Sequence, residues 1–296
     1  MTDMLGKTCL VTGATDGIGK KTAEALAAQG ARVVIVGRNP EKTTRVVEEM
    51  RTQSRNEQVE GLVADLSVQA EVRRLAGEVL ARCERLDVLV NNAGGVFMRR
   101  ELSQDGIEMT FALNHLNYFL LTNLLLERLK ASAPARVVVV SSGAHLAAKL
   151  DFNDLQGERS YQGWVAYSRS KLANLYFAYE LARRLAGTGV TVNALHPGFV
   201  ATRFGLNNQK WGKLFRFSQL LALRPEQGAE TSIYLASSPD VEGVTGKYFD
   251  RKRAVKSSAA SYDETAARRL WEISLALTGL DQEAEITRLR PASLAQ

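Results

Sequence analysis

The sequence predicts a single-domain, doubly wound α/β fold: a mostly parallel, seven-stranded sheet with helices on both faces. Three observations carry that expectation. Short β-branched runs alternate with amphipathic helical runs, which right-handed crossovers wind into a parallel sheet. The first strand runs at once into a glycine-rich turn and then a helix. No Gly/Ser- or Pro-rich linker and no internal repeat divides residues 1–280, although 296 residues are enough for two domains by length alone.

Taken in order, Thr8-Cys9-Leu10-Val11 reads as a buried strand. Thr12-Gly13-Ala14-Thr15-Asp16-Gly17-Ile18-Gly19 follows, and a helix with apolar Ile18, Ala23, Leu26 and Ala27 runs to Gly30. Strand, glycine turn and helix together place a pyrophosphate on a helix N-terminus, where free N–H groups and the dipole favour an anion. Gly13, Thr15, Asp16, Gly17, Ile18 and Gly19 are therefore candidate dinucleotide contacts. The second strand, Arg32 to Val36, ends at Gly37-Arg38. A site for NAD would carry an acidic residue there to hold the ribose 2′-hydroxyl. Arg38 instead suits a 2′-phosphate, so NADP(H) is favoured over NAD(H). Leu62-Val63-Ala64 is the third strand, with Asp65 and Leu66 at its end as candidate adenine contacts. Asp65 alternatively starts the next helix, with Ser67 as the N-cap before Val68 to Arg82. Asp87 to Val90, the fourth strand, runs into Asn91-Asn92-Ala93-Gly94-Gly95, where Asn92, Ala93 and Gly94 let a ribose lie close to the backbone.

Gly106 to Lys130 has an apolar helical pattern interrupted by Asn114 and His115. A buried mid-helix Asn is costly unless paired, so Asn114 either holds a water at a bend or bonds a neighbouring carbonyl. Arg136 to Val140 is a strand ending in Ser141-Ser142-Gly143, at the edge where doubly wound sheets bind ligands. Ser142 is preferred over Ser141 as the hydroxyl that meets a substrate oxygen. Residues 146–163 read as an irregular excursion. In the amphipathic run Trp164 to Ala186, Tyr167 and Lys171 stand four apart and share a helix face. A neighbouring ammonium stabilises phenolate, which makes Tyr167 a candidate proton donor and acceptor.

The sixth strand, Val190 to Leu195, leads to His196-Pro197-Gly198. Pro197, Gly198, Val200 and Thr202 are candidate cofactor contacts, Thr202 through its hydroxyl. Residues 204–223 mix Trp211, Leu214, Phe215 and Phe217 with Lys210, Lys213 and Arg216. They read as a lid over an apolar substrate, with a surface helix or a membrane-surface segment as the alternatives. Pro225 opens another helix as proline at a first helical position does. Gly246 to Phe249 is the last strand, Arg251-Lys252-Arg253 a solvated basic run, Glu264 to Leu277 a final helix, and 281–296 a frayed tail.

The composition, 45% hydrophobic and 24% charged, is that of a soluble globular protein. The net charge of +6 comes from Lys and Arg interleaved with Asp and Glu, which fits solvated faces better than a nucleic-acid surface. Cys9 and Cys83 have no CxxC spacing, so neither a disulfide framework nor a metal site is expected. With no run of about 18 apolar residues and a strand almost at residue 1, the expectation is a cytoplasmic protein without a transmembrane segment.

These pieces in this order resemble the short-chain dehydrogenase/reductase family over about residues 5–280. Leu113-Asn114-His115-Leu116, Ser141-Ser142-Gly143-Ala144-His145, Ser170-Lys171-Leu172-Ala173-Asn174 and Gly246-Lys247-Tyr248-Phe249 look like its retinol dehydrogenase-like branch. The resemblance implies a Rossmann-type oxidoreductase that passes a hydride between nicotinamide and the carbonyl or alcohol carbon of an apolar substrate. It implies four catalytic residues: Tyr167 as acid and base, Lys171 lowering its pKa and holding the nicotinamide ribose, Ser142 on the substrate oxygen, and Asn114 anchoring a water. Tyr167 and Lys171 are thus cofactor contacts as well. It also implies a homodimer or homotetramer built through 106–130 and 167–186. An NAD-preferring relative, or an NADPH-binding sensor without turnover, are the competing readings; the second fits poorly with a chain that keeps both Tyr167 and Lys171.

Overall fold

The computed structural model describes residues 3–198 and 223–280. Its strands are β1 (Thr8–Thr12), β2 (Arg32–Gly37), β3 (Val59–Val63), β4 (Val88–Asn91), β5 (Ala135–Val140), β6 (Val190–His196), β7 (Lys247–Asp250) and β8 (Arg253–Val255). They form one sheet in the order β3-β2-β1-β4-β5-β6-β7-β8. All pairings are parallel except the last. The strand order reverses between β1 and β4, which opens a crevice at their carboxyl ends.

Alternation along the strands divides the core. Cys9, Val11, Val33, Ile35, Val88, Val90, Val138 and Val140 point to one face, against α1 (Gly17–Ala28), α2 (Pro40–Ser54) and α8 (Pro225–Ser237). Leu10, Val34, Val36, Leu89, Val137 and Val139 point to the other. There they meet α3 (Gln69–Arg82), α5 (Asn117–Leu124), α6 (Leu126–Ala131) and α7 (Gly163–Arg184). The last helix, α9 (Glu264–Thr278), lies on α7 and sends Trp271 between Phe119 and Phe177, at 4.8 and 6.1 Å between centroids.

The sheet has eight strands where seven were expected. The basic run supplies the reason: Arg251 and Lys252 take positive φ (47° and 64°) in a two-residue hairpin loop, and Asp250 faces Arg253 across it. β3 begins at Val59, earlier than the apolar run Leu62–Ala64. Glu60 pairs with Arg32 of β2 at 2.7 Å, and Thr43 and Val47 of α2 pack onto Gly61, so a polar-looking stretch is strand. Val68, not Ser67, is the N-cap of α3, and the carboxylate of distant Asp105 accepts from Gln69 N at 2.8 Å. The apolar run from Gly106 is not one helix but α4 (Met109–Phe111), a π-turn over Ala112–Leu116, then α5 and α6. Among the described residues no helix is long and apolar enough to cross a membrane.

Candidate active site

The glycine turn and the end of β4 are locked together before any ligand is considered. Thr12 Oγ1 accepts from the N–H groups of Asn92 and Ala93 at 2.9 and 3.1 Å, and Asn92 Nδ2 donates to Thr12 O at 2.8 Å. Gly13 has φ +64°, and a Cβ there would stand 2.8 Å from Ala93 Cα. A Cβ on Gly19 would overlap Asn92 Nδ2 and the Gly13 carbonyl. These two glycines are thus required by packing of protein on protein. Asp16 caps α1 through Gly17 N at 2.8 Å, and its other oxygen holds Lys42 Nζ at 2.7 Å. The first N–H groups of α1, those of Ile18 and Gly19 among them, have no partner within the helix and face the crevice end of β1.

At the end of β2, a Cβ on Gly37 would overlap Thr15 Cγ2 and Thr43 Oγ1, so the space an acidic side chain would need is filled. Arg38 stands at the lip with 76% of its side chain exposed and its guanidinium 4.0 Å from Asp65. Asp65 Oδ1 takes the N–H and hydroxyl of Ser67, which leaves Oδ2 toward Arg38, and Leu66 is buried. Pro197 and Gly198 follow β6; a Cβ on Gly198, which has φ +85°, would overlap Leu223 Cδ1. Val200, Thr202 and the expected lid lie outside the described residues.

The catalytic candidates converge where β4 and β5 end. Asn114 sits in the π-turn, fully buried. Its Oδ1 accepts from Gly95 N at 2.8 Å, and its Nδ2 donates to Gly95 O and Ser170 Oγ, both at 2.9 Å. Ser170 passes the chain on to Tyr167 O at 2.7 Å. Ser142 stands near enough to the Tyr167 hydroxyl to pull its pKa down, while Ser141 donates to Lys171 O at 2.8 Å. Lys171 Nζ donates to Val140 O at 3.0 Å and lies 5.6 Å from the centre of the Tyr167 ring. Trp164 meets that ring edge-on at 6.0 Å.

Burial pushes Tyr167 up to about 12, with Ser142 pulling the other way, and drives Lys171 down to about 7. At Tyr167 burial, and not the neighbouring amine, sets the direction of the shift. Loss of hydration outweighs a neighbouring amine that is itself only partly charged near neutrality.

The cradle fits a dinucleotide. It joins a helix N-terminus at the strand reversal, an arginine at the lip of β2, and a glycine facing the lysine. A Cβ on Gly94 would stand 3.0 Å from Asn114 Oδ1 and 3.7 Å from Lys171 Nζ. Sequence reasoning missed the supports: Thr12, Lys42, Gly95, Ser170 and His196. Ser170 alone had a readable signal, one residue before Lys171. Lys42 reaches Asp16 from 26 positions away, and the others act through backbone groups that only the fold brings together.

A model of the short chain dehydrogenase family matches residues 7–213. Human retinol dehydrogenase 13 is 43% identical over 97% of this chain and 88% of its own length. Mouse retinol dehydrogenase 12 is 46% identical over 94% and 88%. Among solved structures, an uncharacterised protein from Mycobacterium paratuberculosis superposes with a TM-score of 0.77 at 33% identity, over 94% of this chain and 96% of the other. The Pseudomonas aeruginosa RhlG/NADP active-site complex superposes with 0.69 at 30%, over 83% and 95%. The fold and these matches define an oxidoreductase of the nicotinamide-binding kind: the chain belongs to the short-chain dehydrogenase family. Within it, the chain falls on the retinol dehydrogenase-like branch.

Proposed function

We propose that this protein is an NADP(H)-dependent carbonyl reductase or alcohol dehydrogenase acting on apolar aldehydes, ketones or alcohols. The observation that carries the reading is the convergence of Ser142 and the buried Tyr167 beyond the end of β5, with Lys171 one turn further along the same helix face, 5.6 Å from the Tyr167 ring. A substrate oxygen placed between the two hydroxyls meets a donor on each side. In the reductive direction Tyr167 gives that oxygen its proton, and a phenol raised to about 12 is in the protonated form this step needs. In the oxidative direction the proton returns to Tyr167, which requires added positive charge nearby; a fully protonated Lys171 supplies it.

The bound nicotinamide supplies and takes up the hydride. Lys171 would hold its ribose, Arg38 the 2′-phosphate, and the turn Gly13, Thr15, Asp16, Gly17, Ile18 and Gly19 the pyrophosphate. Asp65 and Leu66 would flank the adenine; Asn92, Ala93 and Gly94 the adjoining ribose; Pro197 and Gly198 the carboxamide end. Both hydrogens of the Asn114 amide are engaged, so the residue first braces Gly95 against α7. A remaining lone pair on Oδ1 is where a water would be held.

NADP(H) is supported by Arg38 at the lip and by the filled space at Gly37, and the RhlG neighbour is itself a complex with NADP. The relatives from human and mouse are named for retinol, which puts retinal and retinol first among apolar substrates to try. The test is NADPH consumption over aldehydes and ketones of increasing chain length, retinal included, with NADH in parallel. Binding of NADPH with no turnover across that series would leave a cofactor-binding protein without this chemistry.

A further inference from the structure

The chain has three histidines, and two of them grip the same peptide unit. Ser142 ends the β5 run in extended backbone, and Gly143 opens a short 3-10 turn (Gly143–Ala147). Gly143 N donates to His196 Nδ1 at 3.0 Å, from the last residue of β6. The imidazole lies close over the glycine: a Cβ on Gly143 would stand 3.4 Å from His196 Nε2 and 3.5 Å from Cε1. One atom back, Ser142 O is 2.6 Å from His145 Nδ1, while His145 Nε2 accepts from Ser258 N at 3.1 Å. Because one nitrogen of each ring accepts a backbone N–H, the single ring proton must sit on the other. His145 therefore carries its proton on Nδ1 and donates to Ser142 O. His196 carries its own on Nε2.

We infer that His196 is a positioning residue which, with His145, holds the Ser142–Gly143 peptide so that the Ser142 hydroxyl stays beside Tyr167, and that it does so only as a neutral ring. This rests on Ser142 being the group that holds the substrate oxygen. A proton added to His196 Nδ1 faces the Gly143 N–H donor to donor, and the peptide has to move. A proton on His145 Nε2 faces the Ser258 N–H in the same way.

The surroundings favour the neutral rings. His145 is fully buried, edge-on to Tyr248 at 5.0 Å, and burial lowers its pKa against the pull of the Ser142 carbonyl. Burial lowers His196 too. Among the described residues, Asp250, its partner on β7, favours charge on it, while His145 and Arg251 oppose charge.

The test compares His196→Asn, whose amide oxygen can accept from Gly143 N without titrating, with His196→Leu, which offers no acceptor. kcat and KM for NADPH-dependent aldehyde reduction are measured between about pH 5 and 8, alongside NADPH affinity by fluorescence titration. His196→Leu should lose about 10- to 100-fold in kcat at every pH with unchanged NADPH affinity, the scale of a misplaced reacting group. His196→Asn should restore kcat to within about threefold. It should also move the acid fall-off to lower pH.

Wild-type kcat and an unmoved acid limb in His196→Leu would overturn the inference. If His196→Leu does not fold, an unmoved acid limb in His196→Asn overturns it alone. Ser142→Ala separates the two readings: wild-type turnover there removes the proposed role of Ser142. Loss of turnover there, with His196→Leu unaffected, removes only the histidine grip.

Discussion

Lys171 turns its ammonium to the carbonyl of Val140, 3.0 Å away, and not to the hydroxyl of Tyr167, whose ring centre is 5.6 Å off. Burial strips most of the hydration from that ammonium and drives its pKa down to about 7. The positive charge that a phenolate would need is therefore incomplete until something stabilises it. An anionic dinucleotide is such a stabiliser, which links cofactor binding to the proton on Lys171.

The linkage has a definite sign. A ligand that prefers the charged lysine must protonate it above about pH 7, so NADPH affinity should fall as pH rises from there. The loss approaches tenfold per pH unit until the pKa of the complex is reached. Fluorescence titration of NADPH between about pH 6 and 9 should show the slope, and Lys171→Met should abolish it. A wild-type affinity flat across that range means that Lys171 is not the group the cofactor charges.

Tyr167→Phe removes one hydroxyl from a buried site beside Ser142. Proton transfer by a placed side chain is worth about 10²- to 10⁴-fold, so kcat for aldehyde reduction should drop by that much. NADPH binding should change little, since the ring and Lys171 stay. Stopped-flow turnover beside a binding isotherm separates the two; retained turnover takes Tyr167 out of the chemistry.

Much of the fold was legible because its strands are apolar and its turns carry glycine. What escaped has one physical cause: a side chain or segment answering to a distant neighbour. Val59 to Gly61 reads as polar, yet Arg32 and Thr43 make it a strand. A hairpin loop of Arg251 and Lys252 hides where Asn-Gly would have announced it. Ser67 lost the cap of α3 to Asp105, thirty-six positions on from Gln69. At the site, residue types that bear chemistry were readable. Their protonation was not, because burial of Tyr167 and Lys171 depends on packing that no local spacing encodes.

Asn114 shows how a site residue can also hold the fold. Replacing it with Ala leaves Gly95 N–H, Gly95 C=O and Ser170 Oγ without this partner in the interior. A buried group left unpaired costs about 1–3 kcal/mol, and relaxation recovers part of it. Urea unfolding of Asn114→Ala should therefore give a loss of about 2–4 kcal/mol, on top of any loss of activity. A stability within about 0.5 kcal/mol of wild type means the Gly95 brace is dispensable.

Cofactor choice is testable at two adjacent positions that should behave differently. Arg38→Asp replaces an exposed cation with a group that repels a 2′-phosphate, and should cut the preference for NADPH over NADH by about 10- to 100-fold. Gly37→Asp has no room, since Thr15 and Thr43 fill the space of its Cβ. It should lower the melting temperature and weaken both cofactors. A Gly37→Asp protein as stable as wild type and selective for NADH contradicts the packing reading.

The third histidine sets the behaviour of the protein in acid. His115 is fully buried, and its Nε2 lies 2.9 Å from Ser274 Oγ. Ser274 Oγ itself donates to Leu270 O, so His115 Nε2 is the donor in that pair. Burial lowers its pKa to about 3. In the unfolded chain it titrates near 6.5. Above that value both states are neutral and no penalty exists. As pH falls below it the unfolded chain takes up a proton that the folded one refuses, and stability declines by up to about 1.4 kcal/mol per pH unit. The decline from this residue continues until about pH 3, where the folded ring also charges. His145 and His196, both lowered by burial, steepen its upper part. His115→Leu keeps the apolar packing against Phe111 and Phe119 and leaves Ser274 bonded to Leu270. Urea unfolding at about pH 7.5 and about pH 5 should therefore show a smaller acid loss in His115→Leu than in wild type, by roughly 2 kcal/mol. An equal loss in both proteins would place the acid sensitivity elsewhere, because no other property of this ring changes sign with the proton.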